Sequence, residues 1–210
     1  MANTIWSYLF NMKQLSNWVF IPLTMIVIAI IFTFASYYNT IQALDEKQSG
    51  AAAEVINQYK RRADLITNLV NTVKAYTEHE QSVFADIAAS RAALSQLNIT
   101  PESFQNEVTL QNFEKMQSAL KTELSRLLVI VESYPELQAN ELYKNLMVQL
   151  EGTENRITVA RNRYIEAVRE YNTTLRKVPY VFLANVFDYR TLPQFSIEDS
   201  NIEQPPVVTF

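Results

Sequence analysis

Residues Tyr59–Tyr76 read YKRRADLITNLVNTVKAY, and the periodicity of this stretch decides the fold. Tyr59, Ala63, Ile66, Val70, Val73 and Tyr76 recur at steps of three and four, which places them on one stripe of an α-helix; a half-buried strand would need strict alternation. Lys60 and Arg61 fall on the side away from the stripe, whereas Arg62 lies one turn before Ile66 and flanks it. Arg61 can pair with Asp64 at i+3, a surface interaction of about 0.2–0.5 kcal/mol. The same stripe continues through Phe84, Ile87 and Leu94, so the spacing predicts one helix over about 50–97, roughly 70 Å long.

Outward from that helix, prolines punctuate the chain at Pro101, Pro135 and Pro179. Thr100, Pro101, Glu102 and Ser103 form a start signal, with Thr100 as cap and Pro101 at the first helical position. The second helix, about 101–133, carries Phe113, Met116, Leu120, Leu124, Leu127 and Val131. The third, about 135–178, carries Leu146, Leu150, Thr153, Ile157, Ala160, Tyr164, Val168, Tyr171 and Leu175 at spacing close to a heptad seam. Three amphipathic stripes are buried together most economically as an antiparallel bundle over 39–178. With three helices of alternating direction, the last is expected to end far from the point where the first begins.

Upstream, residues 18–35 read WVFIPLTMIVIAIIFTFA without a charge. At 1.5 Å per residue they cover about 27 Å, close to the roughly 30 Å core of a bilayer. The expected reading is an uncleaved transmembrane helix over 18–38, with Pro22 in its first turn and Trp18, Tyr37 and Tyr38 as interfacial anchors. A buried soluble helix and a cleaved signal peptide are the alternatives; the run is long for the latter, and Lys13 is the only positive charge ahead of it. Residues 1–17, with Ile5, Trp6, Leu9 and Phe10 on one side of a short helix, read as an interfacial segment in which Trp6 and Phe10 anchor. Lys60 follows Tyr38 by over twenty residues, which puts Lys60–Arg62 about 30 Å beyond the membrane edge unless the chain folds back near Gly50. Screening over that distance argues against lipid contact.

Residues 179–195 are rich in aromatics: Tyr180, Phe182, Phe187, Tyr189 and Phe195. They read as a segment closing one end of the bundle or, alternatively, as an exposed patch for a neighbouring subunit or lipid. Residues 196–210, with Pro205, Pro206 and acidic side chains, are expected to be mobile.

Composition narrows the function. Net charge is −4 and the pI about 5.2, which supplies no broad basic surface for nucleic acid. There is no cysteine and only His79 among histidines, so disulfides, thiolate catalysis and Cys-ligated metals are excluded. His79 lies between Glu78 and Glu80, but adjacent helical residues point about 100° apart, and Tyr76 stands where a Glu-x-x-His pair needs its carboxylate. No glycine-rich phosphate loop, HExxH or GxSxG is present. No cofactor and no catalytic residue are expected.

Tyr59 to Val70 (YKRRADLITNLV), Glu132 to Leu137 (ESYPEL), Thr153 to Ile157 (TENRI), Tyr171-Asn172 and the stretch Pro179–Phe187 resemble, in order, the motifs of the LemA family. The resemblance covers roughly Tyr38 to Phe195. It implies a bacterial membrane protein with one N-terminal span, a short outside N-terminus and a cytoplasmic helical bundle, and it brings no catalytic residues. A magnetosome-associated relative implies membrane organisation for at least one branch. This chain departs in its longer lead before Trp18 and in Asp188, which stands where the family frequently has glycine.

On these grounds Arg62, Asp64 and Asn68 on one helix, with Glu154, Asn155 and Arg161 on another, are expected to form a partly buried polar network that sets helix register. The expected fold is all-α, an N-terminal transmembrane helix followed by an antiparallel bundle. The expected function is non-enzymatic: a single-pass protein of the bacterial inner membrane that self-assembles as a homo-oligomer, with the size of the assembly left open, or organises the bilayer; its large domain is expected in the cytoplasm, with the periplasmic or extracellular side as the alternative. The alternative is a membrane-tethered adaptor presenting its bundle to a signalling or proteolytic partner.

Overall fold

The computed structural model describes residues 2–77 and 79–195, with side-chain surroundings from Ile21 onward. The interfacial roles expected of Trp6, Phe10 and Trp18, and the tail 196–210, therefore lie outside the described residues or side chains. Every described element is helical: α1 (Ala2–Lys74), α2 (Gln81–Gln96), a 3-10 turn (Glu102–Gln105), α3 (Glu107–Val131), α4 (Pro135–Ala139), α5 (Glu141–Leu175) and α6 (Tyr180–Val186).

Helix α1 is continuous over 73 residues, about 110 Å. Its lower part contains a stretch apolar and long enough to cross a membrane, none of which is buried inside the protein. Pro22 is internal to this helix rather than in its first turn, because the residues ahead of Trp18 are already helical. The missing N–H there removes one ladder bond, a defect tolerated in membrane helices. Gly50 introduces no break; α1 runs through it, so Lys60, Arg61 and Asp64 stay on an exposed face well away from the span.

The single helix expected over 50–97 is instead two. Between Val73 and Phe84 the stripe position after Tyr76 falls among Thr77–Ser82, an entirely polar run, and continuing the helix would carry Phe84 and Ile87 away from the core into water. The chain turns after Lys74, with Thr77 buried and hydrogen-bonded to the Tyr134 hydroxyl at 3.1 Å. Helix α2 then packs Phe84 and Ile87 against the upper parts of α1 and α3. The second helix also starts later than the Thr100-Pro101 signal suggests. Thr100 and Ser103 exchange hydrogen bonds, at 3.0 Å from the Thr100 N–H to Ser103 Oγ and 3.4 Å from the Ser103 N–H to Thr100 Oγ1, but they close only the 3-10 turn that buries Phe104. Asn106 caps α3 by accepting from the Thr109 N–H at 3.1 Å. Likewise Pro135 opens the short α4, and Asn140 caps α5 by accepting from the Tyr143 N–H at 3.1 Å.

The extra turn changes the parity of the bundle. Helix α1 rises, α2 descends, α3 rises, and α5 descends along the part of α1 from Lys74 down to Ile41. Cross-links fix this antiparallel register: as the number increases from Lys47 to Glu54 and Arg62 of α1 and on to Tyr76 just beyond it, the partner's number decreases from Glu170 to Arg163 and Glu154 of α5 and to its cap Asn140. The C-terminal segment is thereby returned to the foot of the bundle beside Tyr37 and Ile41, and does not lie far from the span as three helices would place it.

Three apolar layers stack along the axis. The far layer joins Leu65–Val73 to Phe84, Leu120–Val131 and Leu146. The middle layer centres on Phe104, whose ring lies 5.3 Å from Phe113, 5.6 Å from Tyr164 and 5.7 Å from Phe195, spacings at which edge-to-face aromatic contacts add to burial. The near layer is Ile41, Tyr171, Leu175, Leu183 and Ala184.

Candidate functional site

Two arrangements stand out from the packing, one inside the bundle and one at its foot. Inside, Arg62 is 3% exposed. A buried guanidinium must satisfy its donors locally. Nη1 donates to Glu154 Oε1 at 3.2 Å, and Nη2 donates to the Gln117 carbonyl at 3.2 Å and to the Gln117 side-chain oxygen. The cation also lies 4.8 Å from the Tyr59 ring centroid. One turn closer to the foot, Arg161 donates to the Tyr59 hydroxyl at 3.3 Å and to Glu114 at 3.3 Å, with its guanidinium 4.5 Å above Phe195. Arg62 and Arg161 thus bracket Tyr59 and tie α1, α3 and α5 together.

Of the six residues expected in this network, the structure brings Arg62, Glu154 and Arg161 into it and leaves Asp64, Asn68 and Asn155 on exposed surface. Asp64 and Asn68 each precede a buried leucine, Leu65 and Leu69, but their own side chains point outward, and Arg61 is exposed beside them. The members missing from the sequence reading are Gln117, Glu114 and Tyr59. Gln117 carries a signal in the sequence: it lies four residues after Phe113 and three before Leu120, so a polar side chain occupies the apolar stripe, while its neighbour Met116 is only half-buried. Among the described residues no group of His, Cys, Asp and Glu is disposed to share a metal ion.

At the foot, the closing segment is held by a two-pronged clamp. Asn172 Nδ2 donates to the Leu192 carbonyl and the Leu192 N–H donates to Asn172 Oδ1, both at 2.8 Å. This gives the Tyr171-Asn172 motif a physical role, with Tyr171 in the core and Asn172 gripping the returning chain. Tyr180 meets Tyr37 edge-on at 5.0 Å, and Phe187 meets Tyr38 at 5.4 Å. Tyr189 accepts a hydrogen bond from Gln42. The five aromatics of the segment therefore divide: Phe195 is core, Tyr180 and Tyr189 are half-buried against α1, and Phe182 and Phe187 are exposed. Asp188, directly after Phe187, has φ 54°, the left-handed conformation that glycine adopts without penalty and that Asp tolerates better than most residues.

Above this foot, Lys47 pairs with Glu170 at 2.6 Å, and that hydrogen bond holds the lysine above its ordinary pKa. The pair is exposed and serves register more than stability.

An unburied apolar helix running without interruption into an antiparallel helical bundle defines a membrane-associated, all-α protein. Its sequence matches the LemA family over residues 51–210, and the chain belongs to that family. Among its relatives is magnetosome protein MamQ 2 of Paramagnetospirillum magneticum, 25% identical over 199 residues, covering 87% of this chain and 72% of the relative. Magnetosome protein MamQ of Magnetospirillum gryphiswaldense is 23% identical over 203 residues, with the same coverage.

Proposed function

We propose that this chain is a non-enzymatic scaffold of the bacterial inner membrane that self-assembles laterally and organises the bilayer around it, with its bundle on the cytoplasmic side. The observation that carries this reading is the continuity of α1, whose exposed apolar stretch and whose core-forming stretch belong to one helix. A bundle joined to its span in this way is confined to two dimensions and restricted in orientation, so weak lateral contacts between copies act at high effective concentration. Similarity to proteins named for the magnetosome supports a membrane-organising role. Lys47 after the span, with Lys60, Arg61 and Arg62 just beyond the stretch in which such charges are counted, against Lys13 before it, gives a slight bias toward the cytoplasmic side.

The adaptor reading draws on the far end of the bundle, where Val129, Leu142 and Val148 are exposed and offer apolar contact to a partner helix. Mass photometry and negative-stain microscopy of the full-length protein, extracted in mild detergent, separate the two. Large, regular particles are the expected result. Particles of one or two chains would overturn self-assembly and direct attention to co-purifying partners.

A further inference from the structure

The return of α5 to the foot of the bundle leaves an apolar surface that the core does not use. Phe182 and Val186 of α6, one turn apart, are 61% and 76% exposed, and Val178 in the turn just before the helix is 76% exposed, while Leu183 and Ala184 are buried. Phe187, which follows Val186 and packs one side of its ring on Tyr38, adds a further apolar side chain beside them at 52%. Immediately before Val178 stand Arg176 and Lys177, both exposed and without an ion-pair partner among the described residues.

The position of this surface identifies what covers it. Tyr180 and Phe187 stack on Tyr37 and Tyr38 of α1, about 4.5 Å of helix rise beyond Ala35, where the apolar run ends. The exposed face of α6 is therefore level with the boundary of the bilayer and continuous with the exposed surface of the span. A second copy is a poor match, since a specific protein interface needs about 800 Å² per partner and this surface offers four apolar side chains from α6 and the residues flanking it.

We propose that α6 is a second membrane contact: Val178, Phe182, Val186 and Phe187 enter the headgroup–acyl boundary beside the span, and Arg176 and Lys177 bind the phosphates of anionic lipids. Apolar side chains inserted shallowly next to a basic rim are how interfacial segments hold to a bilayer. The contact rests on α1 crossing the membrane and is independent of assembly.

The test uses full-length protein reconstituted in vesicles of phosphatidylcholine and phosphatidylglycerol with brominated acyl chains, in a background in which Trp6 and Trp18 are replaced by Phe. Single reporters are Phe182→Trp, Phe32→Trp in the span, and Val129→Trp at the far end. All three sites are exposed, so folding is preserved. Phe182→Trp is expected to show blue-shifted emission and quenching by bromines near the headgroup end of the chain, Phe32→Trp, one turn inside the end of the apolar run, to be quenched as well by bromines in the upper half of the chain, and Val129→Trp to be unquenched. Quenching of Phe182→Trp is expected to fall when phosphatidylglycerol is omitted or when Arg176 and Lys177 are both changed to Gln.

Water-like, unquenched emission from Phe182→Trp with a quenched Phe32→Trp would overturn the proposal and leave the span intact. A blue shift without quenching would overturn it in favour of a protein partner. An unquenched Phe32→Trp would overturn the span and this contact together.

Discussion

Arg62 is the buried one of two arginines, with Arg161, that tie α1, α3 and α5 together through polar contacts. Arg62→Ala leaves the Gln117 side chain and the half-exposed Glu154 without their partner, and is expected to lower stability by about 2–3 kcal/mol. Glu154→Ala costs less, about 1–2 kcal/mol, because Gln117 still accepts from the guanidinium. Replacing Arg62 by Met together with Gln117 by Leu is expected to recover most of the loss, as apolar substitutes for buried ion pairs often do. Denaturant unfolding of the detergent-solubilised protein, followed by circular dichroism, checks all three; equal, unchanged midpoints for both single variants would remove the network from any role in register. At the foot, Asp188→Gly is expected to raise the unfolding midpoint slightly, by relief of about 1 kcal/mol of left-handed strain. The Asp188–Arg190 pair lost with it is exposed at both ends and offsets little.

Among the elements, α1 carries a glycine with no conformational use. Gly50 is helical and a Cβ built on it meets nothing within 4 Å, so Gly50→Ala is expected to stabilise the bundle by roughly 0.5–1 kcal/mol, read as a higher denaturant midpoint with an unchanged slope. Helix α5 was legible in the sequence almost residue for residue: the nine stripe positions from Leu146 to Leu175 are all buried, joined by Ala167. The turn after Lys74 was not, because neither proline nor glycine marks it and Phe84 and Ile87 remain in phase with Val73. Only the polar run Thr77–Ser82 signalled it. The 3-10 turn was hidden for a different reason, since Thr100 and Pro101 make a valid start signal for a helix that stops after Gln105. Half of the arginine network could be read from residue type and stripe position, and the rest required knowing which residue of α3 faces α1.

For the whole molecule, the aromatic layers predict an alkaline limit to stability. Burial pushes both Tyr164 and Tyr171 up from the ordinary 10.0 to about 12. Their phenols ionise more readily in the unfolded chain, so the folded state is fully favoured below pH 10 and loses that advantage as pH rises from 10 to about 12. Thermal midpoints should fall steeply across that interval, and Tyr171→Phe should make the fall shallower; a flat profile would mean that neither ring is buried in solution. The uninterrupted run of α1 has a mechanical consequence. From Tyr38 to Lys74 it is a shaft about 54 Å long, fixed at one end to a segment whose tilt responds to bilayer thickness. A change of about 10° in that tilt swings the far end of the bundle by about 9 Å, so a small difference in membrane thickness is amplified into a displacement as large as the spacing between packed helices.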